Sequence, residues 1–77
     1  MNAKEFHKKL YKNIEIEIVK SGIPKTELAK KLKISNTNVS FILMKLKNGK
    51  SVSTLTLCKW ADALGISVSN FFEKICN

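Results

Sequence analysis

The sequence contains no arginine, and all 14 of its basic residues are lysines. The forked, bidentate contacts that arginine makes with phosphate, carboxylate or guanine are therefore excluded. Cysteine is scarce as well, because Cys58 and Cys76 are the only two and they lack CxxC spacing. Two such residues indicate neither a disulfide framework nor a metal or redox site. Cys58, among apolar neighbours, is expected to be a small core residue.

Groups suited to catalysis are also few. The single histidine, His7, follows Phe6 and precedes two lysines, with no carboxylate or thiol spaced to partner it, and the three glycines form no phosphate-binding loop. No run of 18 apolar residues and no signal-peptide core is present. We therefore expect a non-enzymatic cytoplasmic protein that has no cofactor, metal or small-molecule ligand and does not bind membranes.

What the chain does have is positive charge. Its 77 residues carry 14 lysines against six acidic residues, which gives a formal net charge of +8. This length predicts one small domain spanning residues 1–77. The surplus of charge suits a polyanionic partner, although a lysine-rich surface is also compatible with solubility alone.

Five segments of helical length lie between turns marked by small residues. In the first, about Ala3 to Ser21, apolar residues recur every four positions. Its Ile14–Ile18 stretch alternates like a strand, but the spacing of four spans the whole segment and favours a helix. The other segments are about 24–32, 36–47, 54–64 and 68–75. The sequence therefore predicts an all-α domain of five helices without a sheet.

Residues 24–46, PKTELAKKLKISNTNVSFILMKL, are the most informative part of the chain. They predict two short helices joined by a tight turn, and the second helix opens with Ser35-Asn36-Thr37-Asn38 before it becomes apolar. In a basic chain, this pattern predicts a helix-turn-helix at about 24–47 whose second helix places its polar end in the DNA major groove. The alternative is that Ser, Asn and Thr gather there only because they cap helices.

The side chains expected to contact bases are Asn36, Thr37, Ser40 and Phe41. Asparagine forms a bidentate pair with adenine, and Thr and Phe suit the thymine methyl group. Phosphate contacts are expected from flanking lysines and from polar residues near helix N-termini. The predicted phosphate-contacting residues are Lys25, Asn38, Lys47, Asn48, Lys50, Ser51 and Thr54.

Five short motifs follow one another in the chain: Ser21-Gly22-Ile23, Glu27-Leu28-Ala29, Leu32-Lys33-Ile34-Ser35, Val39-Ser40 and 61–67, which reads ADALGIS. In this order they resemble the Cro and phage-repressor type of helix-turn-helix regulator, the XRE family, over about residues 10–73. The resemblance implies a compact five-helix, lambda-repressor-like domain that binds operator DNA, usually as a dimer, and acts as a transcriptional repressor.

Two features depart from that family's pattern. Lys25 stands where many members have a Gln early in the second helix. The third helix is expected to continue for about one more turn, through 43–47, before Asn48-Gly49 ends it. The loop that would approach the DNA backbone is therefore expected to be longer than in those members.

The C-terminal aromatic residues raise the question of assembly. Trp60 falls on the apolar stripe of the fourth segment and is expected in the core. Phe71 and Phe72 are adjacent, so that one helix cannot bury both equally well. We expect a homodimer with Phe71, Phe72 and Ile75 at its interface; the alternative is that both aromatic residues lie on the core edge of a monomer.

One other function remains open at the level of the sequence. A protein-interaction module, such as an antitoxin or the partner of a regulator, could present the same helix-turn-helix surface to a protein instead of to DNA. Binding to duplex DNA that weakens as salt rises would separate the two classes.

Overall fold

Four α-helices form where apolar residues recur at helical spacing: α1 (Ala3–Ser21), α2 (Lys25–Leu32), α3 (Asn36–Lys47) and α4 (Thr54–Leu64). One turn of 3-10 helix, Val68–Phe72, follows α4. The computed structural model describes residues 1–75, and none of them lies in a strand. The all-α prediction is therefore confirmed, and the Ile14–Ile18 stretch is helical.

The prediction of a fifth α-helix at about 68–75 is wrong. After Phe72 the chain leaves helical geometry, and Glu73 has an extended backbone (φ −61°, ψ 135°). The side-chain amide of Asn13 on α1 donates hydrogen bonds to the carbonyl oxygens of Phe71 (2.8 Å) and Glu73 (2.9 Å). These bonds from α1 occupy carbonyl oxygens that the hydrogen-bond ladder of a fifth α-helix would use.

Serine side chains determine where α3 and α4 begin. The Ser35 Oγ accepts a hydrogen bond from the Asn38 N–H, and the Ser53 Oγ accepts one from the Thr56 N–H, both at 3.1 Å. Each bond satisfies a backbone donor that the first turn of a helix leaves without a partner. The predicted starts of both helices are confirmed.

The core lies between the inward faces of the four helices and the 3-10 turn. Trp60 is 2% exposed, which confirms its predicted place, whereas Cys58 is only half-buried and lies outside the core where it was expected. Within residues 1–75, no polar or charged residue is buried. The buried residues are Leu10, Ile14, Ile18, Leu28, Ala29, Val39, Leu43, Leu46, Leu57, Trp60, Ala61, Leu64, Phe71 and Ile75.

The burial of the C-terminal residues corrects the dimer interface expected from the sequence. Phe71 and Ile75 are 0% and 1% exposed in the monomer, so neither offers surface to a second subunit. Phe72 is 36% exposed and lies beside Phe6, with 6.1 Å between the ring centroids. Asn13 explains the difference, because its bonds to this segment hold Phe71 against the core.

Candidate nucleic-acid interface

The helices α2 and α3 are joined by a short turn and pack against each other. The turn between the helices is short, because Lys33 adopts the left-handed conformation (φ 59°, ψ 40°) directly after α2. The Ile34 N–H donates to the Ala29 carbonyl oxygen at 3.0 Å and closes the turn. Leu28 and Val39 are 0% and 1% exposed, so the two helices are fixed to each other through the core.

All four predicted base-contacting residues are exposed, and all lie in the first two turns of α3. Phe41 is 59% exposed, which is unusual for so large an apolar side chain. The cap made by Ser35 orders this end of the helix while leaving the side chains of Asn36, Thr37 and Ser40 outside. The start of α3 therefore presents short polar groups and one aromatic ring to solvent.

An apolar ridge runs along the middle of the exposed face of α3. Thr37, Phe41 and Met44 are spaced i, i+4 and i+7 and so lie on one line of the helix. Met44 is 59% exposed, like Phe41. We call these three residues the outer ridge of α3. Met44 was not among the predicted contacts, although its place on this line follows from the sequence spacing.

Positive charge flanks this ridge. The Lys45 Nζ lies 5.9 Å from the centroid of the Phe41 ring, a distance at which a cation and an aromatic face attract each other. Lys47 is exposed on the last turn of the helix, and α3 contains no acidic residue. The ridge is therefore apolar in a setting that attracts a polyanion.

A shallow groove of about 190 Å³ brings together parts of three helices beside the ridge. Three predicted contacts line it, namely Lys25 from α2 with Ser40 and Lys47 from α3, and Met44 forms part of its wall. Sequence reasoning missed Tyr11, which lines the groove from α1. The sequence feature that could have identified it is its position at the edge of the apolar stripe of α1. A tyrosine there packs its ring inward while its hydroxyl can reach water.

Lys25 is paired within the protein. Its Nζ lies 3.4 Å from the Glu15 Oε1 on α1, with Lys25 half exposed and the side chain of Glu15 31% exposed. That carboxylate oxygen is out of contact with solvent and has no hydrogen-bond partner among the described residues, so the ion pair with Lys25 is its compensating contact. A phosphate in the groove would have to share Lys25 with Glu15.

The turn after α3 is held against the start of α1. Gly49 has φ 80°, and a Cβ at this position would collide with the side chain of Lys4. The Lys50 N–H donates to the Lys45 carbonyl oxygen at 2.8 Å. This packing fixes the loop in which several predicted phosphate contacts lie. Asn38, Asn48, Lys50, Ser51 and Thr54 are all exposed.

A second basic depression lies elsewhere on the surface. It has a volume of about 420 Å³ and is lined by Lys31, Lys33 and Lys59, together with the acidic Asp62. It shares no lining residue with the groove beside α3. Its mixed charge and a lining that contains no residue of α3 make its lysines useful controls for those of the groove.

Three other possibilities for the described residues are a catalytic histidine, a metal site and a membrane-spanning helix. The His7 Nδ1 lies 2.7 Å from the Ala3 carbonyl oxygen, a contact within its own helix. Residues 1–75 contain no group of three or more His, Cys, Asp or Glu side chains placed to hold a metal ion. None of their helices has the length and apolar character needed to cross a membrane. Cys76 lies outside the described residues.

Protein-family models, curated proteins and solved structures give no match to this chain. The resemblance to the XRE family therefore depends on the sequence motifs alone.

Proposed function

We propose that this protein is a sequence-specific DNA-binding transcriptional regulator, a repressor of the Cro type, that inserts α3 into the major groove. The observation that carries the proposal is the exposed face of α3, where Asn36, Thr37, Ser40 and Phe41 project from a capped helix start that bears no acidic residue. A major groove of about 12 Å admits one α-helix, and amide and hydroxyl groups at the helix start can meet base edges there.

The phosphate contacts follow from where the lysines lie around α3. Lys25 and Lys47 line the groove on one side of the ridge, with the Tyr11 hydroxyl as a further donor. Lys50 lies beyond the end of α3, in the loop that packs against α1. Contacts from these lysines to backbone phosphates would fix the position of the helix without reading sequence.

We further propose that the protein binds as a homodimer to a two-fold operator. One domain of this size makes few base contacts, and pairing two half-sites about 34 Å apart raises affinity and specificity. Phe72 is the one predicted interface residue that remains partly exposed. Binding of two chains per operator in analytical ultracentrifugation, weakened by Phe72→Ser, would support this assembly, whereas one chain per operator would contradict it.

A second candidate function is supported by one observation. Phe41 and Met44 are large apolar side chains exposed on the same face, as expected of a surface that binds another protein. A protein-interaction module would use this face without DNA. The charge of +8 favours DNA over that alternative, because a protein partner would need a matching acidic surface.

The test is binding to duplex DNA at several salt concentrations, first with a random pool and then with the sequence selected from it. The proposal expects one sequence family to be enriched and affinity to fall steeply as salt rises. Lys47→Ala should weaken binding, and Lys59→Ala, its control in the separate depression, should have little effect. Absence of enrichment, or equal effects of the two variants, would contradict the proposal.

A further inference from the structure

The outer ridge of α3 is more apolar than contact with DNA phosphates requires. Phe41 and Met44 are each 59% exposed, although the rest of the helix packs well, with Val39, Leu43 and Leu46 at most 5% exposed. These two side chains are thus not a failure of core packing. In the major groove, the apolar group within reach of such side chains is the 5-methyl group of thymine.

We infer that the outer ridge reads thymine methyl groups, and that the DNA sequence this protein prefers is a run of A·T pairs. The inference rests on the proposed function and specifies its ligand. Thr37 supplies a methyl and a hydroxyl group, Phe41 supplies a ring and Met44 supplies a flexible thioether, all on one line. Asn36, at the polar end of that line, has the donor and acceptor pattern that adenine matches.

The dimensions of the ridge set the length of the run. From Thr37 to Met44 the helix rises by about 10 Å, at about 1.5 Å for each residue. Base pairs stack about 3.4 Å apart along each strand, so a ridge lying along the groove spans about three steps. Since three steps join four base pairs, the expected half-site contains about four consecutive A·T pairs whose thymine methyl groups face α3.

The composition of the chain also favours A·T pairs over G·C pairs. Without arginine, the fork that most often specifies guanine is missing from the whole protein. Lysine is the other residue that reads guanine, but the first two turns of α3 carry none on their exposed face. Lys45 lies near the Phe41 ring and Lys47 lines the groove, so both flank the ridge.

A thymine-to-deoxyuridine substitution tests the inference, because it removes only the methyl group. Wild-type protein first selects its preferred duplex from a random pool, and each thymine of that duplex is then replaced by deoxyuridine in turn. Binding should weaken about four-fold for each methyl group that meets the ridge, at one fixed salt concentration. Thymines outside the run should be insensitive.

Two variants assign the methyl groups to side chains. Phe41→Ala should lose the difference between thymine and deoxyuridine at one position, and Met44→Ala should lose it at a neighbouring one. The matched control is Ile16→Ala, which truncates a half-exposed apolar residue of α1 outside the groove and should keep both differences. Circular dichroism checks that the variants are folded, and the substitutions in the DNA need no variant at all.

The outcomes distinguish failure of the thymine-reading role from failure of DNA binding itself. Equal affinity for thymine and deoxyuridine duplexes, or selection of a G·C-rich sequence, would overturn the role of the ridge and leave DNA binding intact. Absence of any selected duplex would overturn the proposed function and the inference together. Duplex binding that survives in full in Phe41→Ala would also contradict the inference and would favour a protein partner for that ring.

Discussion

Helices α3 and α4 differ in what they expose, although they begin alike and are similar in length. They contain 12 and 11 residues, and a serine caps the start of each. In α4, the large apolar side chains at its middle and end point inward, and Trp60 is 2% exposed. In α3, Phe41 and Met44 point outward from the middle of the helix, while Val39 and its neighbours still fill the core.

The difference lies in how the exposed apolar side chains are arranged. From Leu57 to Leu64 the pattern of α4 follows from burying a stripe against the core, and its one large exposed apolar side chain, Leu55 (63% exposed), stands alone in the first turn. The inward stripe of α3 does the same, yet its outward face carries apolar groups that add nothing to the core and reduce solubility. Such a face indicates a second requirement on the sequence, and DNA binding is the one we propose.

The largest expected effect is on the free energy of unfolding, and it compares a buried residue of α4 with an exposed residue of α3. Trp60→Ala should lower the free energy of unfolding by about 3–5 kcal/mol, because it leaves a cavity in the core. Phe41→Ala should change it by no more than about 0.5 kcal/mol, since the ring is mostly in water. Denaturant titration measures both. A large loss of stability in Phe41→Ala would make the outer ridge a structural feature and would remove the contrast.

The next effect concerns binding alone. Asn36→Ala and Thr37→Ala should each weaken binding to the selected duplex by about 1–3 kcal/mol, because each removes a contact with a base edge. Stability and binding to unrelated duplexes should hardly change, since both residues are exposed. Fluorescence anisotropy with the two kinds of duplex measures this. Wild-type affinity in both variants would show that α3 does not read bases.

The two serine caps give a smaller effect and a direct comparison of the helices. Ser35→Ala and Ser53→Ala should each lower the free energy of unfolding by about 1 kcal/mol, because each leaves a backbone N–H without its partner. Only Ser35→Ala should also reduce preference for the selected duplex, since it loosens the turn that holds Asn36 and Thr37. Equal effects of the two caps on sequence preference would speak against a special role for α3.

The smallest effect is expected for single lysines. Lys47→Ala and Lys50→Ala should weaken binding to all duplexes alike and reduce the slope of log affinity against log salt by about one unit for each phosphate that is no longer neutralised. Lys59→Ala in the separate basic depression provides the control. An unchanged slope in the Lys47/Lys50 double variant would exclude the end of α3 from the interface.

Much of the fold could be predicted because it depends on local chemistry. The four α-helices begin and end within a residue of where apolar spacing and capping residues predicted, and Trp60 is in the core as expected. The C-terminal segment could not be predicted, because its form depends on Asn13, which lies 58 residues earlier than Phe71. Contacts over such a distance leave no trace in helical spacing.

Some features of the candidate site could likewise be predicted from the sequence, and others could not. Exposure of the side chains at the start of α3 follows from helical spacing, and it is confirmed. The meeting of Lys25 with Glu15 and the place of Tyr11 in the groove depend on how α1 crosses the other two helices. Side-chain pairs between helices are set by packing angles, which the spacing of residues in one segment does not specify.

The most direct test of DNA binding by α3 is a map of backbone amide chemical shifts while the selected duplex is titrated into the labelled protein. If α3 enters the major groove, the largest shift changes lie at Thr37, Ser40, Phe41 and Met44, with smaller ones at the Lys25 end of α2. Residues around Lys31, Lys33 and Lys59 should change little. Shift changes centred on that second depression, or none along α3, would show that α3 is not the DNA-binding helix.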